Sequence, residues 1–458
     1  MMNPMKTDIR LKPTASPVVT MITETFGFSR TWSLAVVAFA GLVICFAIYW
    51  FIHTAPPHTI TITGGPPGST FQKSAESYSN ILAHSGVTLK ILPSQGSLQN
   101  LQRLENRHSG VDIGFVQGGV TDDTNATDHL VSLGSVAYEP LLIFYRNPAP
   151  IRFLSEFAGK RLAVGPVGSG TRTLALTLLQ TNGIATGGDT QLLNLDADAA
   201  AQALLQGTID AVFLMSDSAS SQTMRSLMRS PAVQLYSFAQ ADAYTRRFSY
   251  LTKLKLPAGA IDLGKNVPAQ DVWLIGPTVE LIARTDLNPA LSDLLLGTAR
   301  EVHGKASMFQ NRGDFPAPLE HDFKISDDAT RYYKSGKSFL YRSIPSFWVA
   351  SLVNRTLVVI LPMTLVLIPV IRLVPQVLKW RTQLRIYRWY RALLVLEREV
   401  AGELTPTKRD ELMTRLAEIE LAVKRLRIPA KFADQFYGLR GHIDYVRERL
   451  GAPVPQRP

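Results

Sequence analysis

The chain has 458 residues, enough for two or three hydrophobic cores, and its 48 basic and 37 acidic side chains leave a formal charge of +11. The excess is local: residues 53–346 carry 25 basic and 25 acidic side chains, whereas residues 372–458 carry 18 and 10. A neutral body with basic charge gathered beside an apolar segment excludes nucleic-acid binding as the meaning of the high pI and points to a membrane surface instead.

Residues 1–31 read as a cytoplasmic N-terminal segment. Residues 32–52 follow without a single charge, enough to cross a hydrocarbon core of about 30 Å. No clean A-x-A site comes after Ile52, so the segment reads as an uncleaved transmembrane anchor rather than a signal peptide. Cys45, the only cysteine, lies inside it, and the body must therefore fold without an intramolecular disulfide.

Two stretches then repeat one pattern. The first starts with an apolar strand at Ile60 and Ile62 and turns at Gly64-Gly65-Pro66-Pro67-Gly68-Ser69-Thr70. It continues through a helix, a strand and a helix to Gly110-Val111-Asp112-Ile113-Gly114-Phe115. The second begins at Arg161, turns at Gly165-Pro166-Val167-Gly168-Ser169-Gly170-Thr171 and closes at Gly207-Thr208-Ile209-Asp210-Ala211-Val212-Phe213. These are two βαβαβ lobes. Each Gly/Ser turn lies at a strand's carboxyl end and a helix start, where free N–H groups and the helix dipole favour an anion. Residues 271–282 read as a strand returning to the first lobe, with chain crossings expected near 144–151 and 257–272. That assigns 56–145 and 271–340 to lobe I and 150–257 to lobe II, with a hinge between them.

A second apolar segment covers 347–371, interrupted by Asn354 and Arg355. Arg355 either snorkels to the outer interface or contacts another membrane helix. Six basic and no acidic residues between Arg372 and Arg391 mark that flank as cytoplasmic, which places both termini inside and the lobes outside. In the 372–458 tail, Leu412, Leu416, Ile419, Val423 and Leu426 alternate spacings of four and three. Phe432, Phe436, Leu439, Ile443, Val446 and Leu450 do the same after Ile428-Pro429. The stripes predict a helical hairpin packed on a helix over 381–400, with Pro406 at a helix start. Tyr387, Trp389 and Tyr390 read as an anchor at the lipid headgroups.

Catalytic patterns fail. Neither Gly turn has the Lys of a P-loop, Val167 stands where a nucleophile elbow needs Gly, and no Cys or His pair has zinc spacing. No enzyme activity, metal or cofactor is expected.

The segments Thr63-Gly64-Gly65, Gln95-Gly96-Ser97, Asp112-Ile113-Gly114-Phe115-Val116-Gln117, Tyr138-Glu139-Pro140-Leu141, Gly159-Lys160-Arg161 and Val167-Gly168-Ser169-Gly170-Thr171 occur in order over some 250 residues. Together they resemble the TAXI-type solute-binding subunits of TRAP transporters. The tail resembles that family's membrane-anchored branch through Ser338-Phe339-Leu340-Tyr341-Arg342, Pro345-Ser346-Phe347-Trp348 and Arg385-Ile386-Tyr387-Arg388-Trp389-Tyr390. The resemblance implies an α/β, two-lobed, periplasmic-binding-protein type II fold in a bacterial inner membrane. Its lobes would capture a small organic anion or amino acid for a TRAP permease. A transmembrane sensor signalling through the cytoplasmic tail is the alternative.

Resemblance and repeat agree on the ligand site: Gly68, Ser69 and Thr70 at one helix start, and Gly168, Ser169, Gly170 and Thr171 at the other. For the hydroxyls the alternative role is ordinary N-capping, and both roles can hold at once. Gln95 and Ser97 precede the next helix of lobe I, Gln117 ends a buried strand, and Tyr138 and Glu139 stand where the chain prepares to cross. Glu139 would hold a ligand amine or a hinge-side base, and Arg172 is a candidate carboxylate partner that otherwise faces solvent.

Overall fold

The computed structural model describes residues 30–121, 128–147, 149–402, 405–426 and 432–451. Nearly all of the predicted 1–31 segment and the Ile428-Pro429 break lie outside them. Contacts divide the chain into one unit of Thr54–Arg355 and another of Met1–His53 with Thr356–Pro458.

The apolar segment expected to anchor the chain forms helix α1 (Arg30–His53). The body opens with β1 (Thr59–Thr63), α2 (Thr70–His84), β2 (Thr88–Leu92), α3 (Ser97–Glu105) and β3 (Ile113–Gln117), followed by β4 (Leu130–Tyr138) and β5 (Leu142–Tyr145). The repeat then recurs as β6 (Arg161–Ala163), α4 (Gly170–Thr181), β7 (Gln191–Leu193), α5 (Ala197–Gln206) and β8 (Ala211–Leu214). After α6 (Ser221–Arg229), β9 (Gln234–Leu235) and α7 (Ala241–Arg247) come β10 (Leu251–Leu256) and the long β11 (Val272–Arg284). Helices α8 (Pro289–His303), α9 (Asp327–Ser335) and α10 (Phe339–Ser343) complete the body.

The lobes are topological copies. In the first sheet β1 lies between β2 and β3, all parallel, and antiparallel β11 adds beside β3. In the second, β6 lies between β7 and β8, all parallel, and antiparallel β5 adds beside β8. One detail makes the duplication chemical as well as topological. Asp112 accepts from the Thr61 N–H at 2.7 Å, and the equivalent Asp210 accepts from the Arg161 N–H at 2.8 Å. A carboxylate just before each third strand thus fastens it to the first strand of its lobe.

The cores follow from the alternation of apolar residues. Ile60 and Ile62 of β1, Phe71, Tyr78 and Leu82 of α2, and Leu291 and Leu295 of α8 bury together in lobe I. Leu162, Leu174, Leu178 and Phe213 do so in lobe II, on the face of its sheet that α4 covers.

The strand pairing moves the crossings. Glu139 N–H bonds the Pro277 carbonyl and Leu141 N–H bonds the Ile275 carbonyl, both at 2.9 Å, so the two connections run side by side at 138–142 and 275–278. The sequence reading kept residues up to 145 in lobe I and started the return at 271. Instead β5 pairs with β8 in the second sheet, and the first half of β11 pairs with β10 beside the second lobe's core. Strand runs alone do not mark where a continuous strand changes lobe, because both halves are apolar.

The second apolar segment belongs to α11 (Phe347–Val400), a single helix of 54 residues in which Phe347–Leu365 is long and apolar enough to cross a membrane. The sequence reading ended a span at 371 and started a new helix at 381. The helix instead continues through Pro362, Pro369 and Pro375, although each removes a backbone donor and crowds the preceding turn. Its first turn also departs from the expected span. Phe347 joins the lobe I core and Trp348 stacks on His58 at 3.9 Å.

In the tail, α12 (Pro406–Lys424) and α13 (Ala433–Gly451) pack with the end of α11. The predicted stripes bury Leu412, Leu416, Ile419 and Val423 against Leu439, Ile443, Val446 and Leu450, around Ile386, Leu393 and Leu396. Trp389 and Tyr390 pack on this core, contrary to the interfacial role expected for them; Tyr387 alone of the three stays 53% exposed. Helical periodicity explains this, since Ile386, Trp389, Tyr390 and Leu393 share the inner face.

Candidate functional site

The repeat places the starts of α2 and α3 in lobe I opposite the start of α4 in lobe II. All three helices present there the backbone N–H groups that find no partner within the helix, as helix N-termini must. Ser69 caps α2 by accepting from the Gln72 N–H at 3.2 Å, and Ser169 caps α4 by accepting from the Arg172 N–H at 3.1 Å. The Ser169 hydroxyl donates to the Pro166 carbonyl, so both of its functions are local. These two serines therefore shape the turns, and the groups aimed across the cleft are their neighbours.

At the centre lies a residue the sequence reading did not single out. Asp217 is fully buried in the loop after β8. Its Oδ2 accepts from the Gly170 N–H at 2.6 Å and from the Ser97 N–H at 3.3 Å, and its Oδ1 accepts from the Thr171 hydroxyl at 2.7 Å. One carboxylate thus joins the N-termini of helices from opposite lobes. Burial pushes its pKa up, and the hydroxyls of Thr171 and Ser218 with the two backbone N–H groups oppose that rise.

More bonds close the lobes around it. Thr70 N–H donates to the Ser216 carbonyl at 3.1 Å, Gln99 N–H to the Gly168 carbonyl at 2.9 Å, and the Gln117 side-chain amide to the Gly170 carbonyl at 3.0 Å. Ser69 and Ser220 form an isolated antiparallel bridge. Glycine leaves room for these side chains at two of the helix starts. A Cβ on Gly96 would lie 2.3 Å from Asp217 Oδ2, and one on Gly170 would lie 2.2 Å from Gln117 Oε1.

Glu139 borders the same interior from the crossing strand. It is fully buried, accepts from the Ser216 hydroxyl at 2.8 Å, and has its pKa pushed well above the ordinary range by burial first and the Asp217 charge second. Its Oε2 and the Oε1 of Gln117 are both buried without a hydrogen-bond partner.

Of the predicted residues, Thr70, Ser97, Gln117, Glu139, Gly168, Gly170 and Thr171 come together at this interlobe contact. Gly68 takes a positive φ of 81° in the α2 turn. Gln95 is exposed, its N–H held by the Gln99 side chain. Tyr138 points elsewhere, its ring edge-on to Phe315 at 4.8 Å. Arg172 faces solvent and bonds Asn194. Asp217 sits among three serines in Ser216-Asp217-Ser218-Ala219-Ser220, where no spacing marks it. The available signal was the repeat, since its loop corresponds to the one that follows Gln117. Among the described residues no group of three or more His, Cys, Asp or Glu is arranged to hold a metal.

Several solved structures are similar to parts of this chain. The periplasmic aliphatic sulphonate binding protein SsuA from Escherichia coli matches with 17% identity over 54% of this chain and 69% of its own, at a TM-score of 0.34. PhnD1 from Prochlorococcus marinus, in complex with methylphosphonate, matches with 12% identity over 61% and 97%, at 0.37. The effector binding domain of QuiR, in complex with shikimate, matches with 11% identity over 55% and 99%, at 0.35. The family model described as NMT1-like matches residues 62–292, half of the chain and both copies of the βαβαβ repeat. The chain has a mixed α/β architecture of two topologically equivalent lobes and belongs to the NMT1-like family.

Proposed function

We propose that the chain is a membrane-anchored extracytoplasmic receptor of the TAXI type. It closes its two lobes on a small organic acid or amino acid and presents that solute to a TRAP permease. The observation that carries this reading is the convergence of the α3 and α4 N-termini, one from each lobe, on a single buried oxygen beneath two paired crossing strands. Such a geometry binds an anion from both sides, so binding and closure become one event. Lobe I in this reading comprises the 56–140 and 276–340 stretches, and lobe II the chain between them.

Anchoring is supported by α1 and by the apolar start of α11. Within their unit, Ile44, Ala47, Ile48 and Phe51 lie with Thr356, Val359, Ile360 and Met363 around a shared apolar recess. Two spans put the lobes in the periplasm and both termini in the cytoplasm, consistent with the basic 372–391 flank.

A second reading, a transmembrane sensor, is favoured by one observation. Helix α11 is continuous from its docked first turn in lobe I to the core of the helical tail.

Native mass spectrometry on the full-length protein purified in detergent tests the receptor reading. A retained small solute is expected, and its loss should lower the melting temperature; a protein that retains none and is stabilised by no organic acid or amino acid is not a solute receptor. Reporter fusions at positions 200 and 458 should report periplasm and cytoplasm respectively, and a periplasmic C-terminus would overturn the anchoring. Transport of the identified solute that is lost with the permease but not with truncation after residue 400 selects transport over sensing.

A further inference from the structure

The interlobe site already holds an acidic group, and that group is part of the chain. Asp217 Oδ2 takes the N–H groups of Gly170 and Ser97, while Oδ1 takes the Thr171 hydroxyl. This is the donor set that an oxyacid group of a solute would meet. The carboxylate is fully buried, and no ion pair of Asp217 with a basic side chain is recorded among the described residues. Backbone dipoles and hydroxyls therefore do the stabilising that a cation otherwise does. An independent feature marks the surroundings as built for more than this one carboxylate. Gln117 Oε1 and Glu139 Oε2 are buried beside it without partners, the former against Gly170 and the latter on the carboxyl group that Ser216 holds. Buried polar atoms left unsatisfied are uncommon in a finished core and indicate groups waiting for a partner.

We propose that Asp217 is a resident competitor for the acidic group of the solute. The solute presents a carboxylate, sulfonate or phosphonate to Gly170, Ser97 and Thr171 by displacing the Asp217 side chain, and its remaining polar groups then reach Gln117 and Glu139. This inference rests on the receptor reading above. It makes Asp217 a specificity-determining residue: a solute without an acidic group cannot dislodge it, and a solute with one must compete with a tethered carboxylate whose effective concentration is high. The same contact lets the lobes meet in the absence of solute, because Asp217 completes the α3 terminus across the cleft.

The test uses the full-length protein in detergent, with acetate and methanesulfonate as probes and sodium chloride as the ionic-strength control. For Asp217→Ala, both probes should raise the melting temperature saturably, with an apparent affinity at least tenfold tighter than for the parent protein, and chloride should not. Equal responses of parent and variant overturn the competitor role. A purely local cap would also be rescued by acetate, so a second measurement reads closure itself. Spin labels at Lys73→Cys and Arg225→Cys, both exposed, on a Cys45→Ser background report the distance between the lobes. Asp217→Asn, which keeps the shape and removes the charge, should shift that distance to a longer and broader distribution. It serves in place of the Ala variant should that variant fail to fold, and an unchanged distribution overturns the proposal. If a retained solute lacks any acidic group and binds Asp217→Ala no tighter than the parent, the competitor role falls while the receptor reading stands. If no solute binds either protein, the receptor reading falls as well.

Discussion

At the start of α2 the Thr70 N–H meets a backbone carbonyl, that of Ser216; at the equivalent start of α4 the Gly170 N–H and the Thr171 hydroxyl meet the carboxylate of Asp217. The same turn has thus been duplicated and then given different work, one copy facing a neutral dipole and the other a charge. Both partners come from a single stretch of lobe II. The two lobes also treat buried acids differently. Asp217 receives four hydrogen-bonding groups that offset its desolvation, whereas Glu280 in lobe I has only the Ser132 hydroxyl to oppose burial and is pushed up to about 8. Donors aimed at a buried carboxyl oppose the rise that burial causes, and a carboxyl with few of them keeps most of that rise.

The largest effect that would break this comparison is expected from Gly96→Ala. The residue has φ 131° and ψ −157°, a region open almost only to glycine, and its new methyl would press on Asp217 Oδ2. The backbone alone costs on the order of 1–3 kcal/mol. The interlobe distance read by the spin labels should lengthen and affinity for the retained solute should fall at least tenfold. Unchanged closure would mean that α3 does not meet lobe II as described.

Next comes the acid of lobe I. Glu280 is protonated in the folded state up to about 8, while its unfolded counterpart ionises near the ordinary 4.5. Between those values the folded state holds more protons, so stability falls as pH rises through that window, with a slope of at most about 1.4 kcal/mol per pH unit. Glu280→Gln should flatten that decline in melts taken between pH 4.5 and 8. A variant that keeps the full slope would show that the decline arises at other buried acids.

A third comparison separates the two turns directly. Thr171→Val removes a hydrogen bond to a charged group, a loss of about 1.5–3 kcal/mol. Thr70→Val removes no side-chain bond to a charge and should stay within about 0.5 kcal/mol. Parallel thermal melts decide the matter, and equal losses would erase the distinction between the lobes.

Much of this was legible in the chain because it is written locally. The capping serines Ser69 and Ser169, the apolar stripe of Leu412, Leu416, Ile419 and Val423, and the paired Asp112 and Asp210 all announce themselves by short-range spacing. What stayed hidden depends on tertiary pairing. Leu142–Tyr145 reads as any apolar strand, and only its antiparallel partner β8 assigns it to the second sheet. Asp217 is one acid in a run of serines, and nothing nearby in sequence says that two helix ends will converge on it. Phe347 and Trp348 look like the beginning of a membrane span, yet the aromatic face of His58 and the lobe I core claim them first.

Both exits from the body lead out of the same lobe. Thr54, next to the end of α1, accepts through its carbonyl from the Asn288 side chain at the start of α8, and the opening turn of α11 is clamped by Phe347 and by Trp348 on His58. In the receptor reading proposed above, lobe I is the stator and lobe II the rotor. On that reading, a permease in the same bilayer would have a fixed surface to grip and a moving one to sense, with every ångström of closure delivered by the half that has no tether of its own.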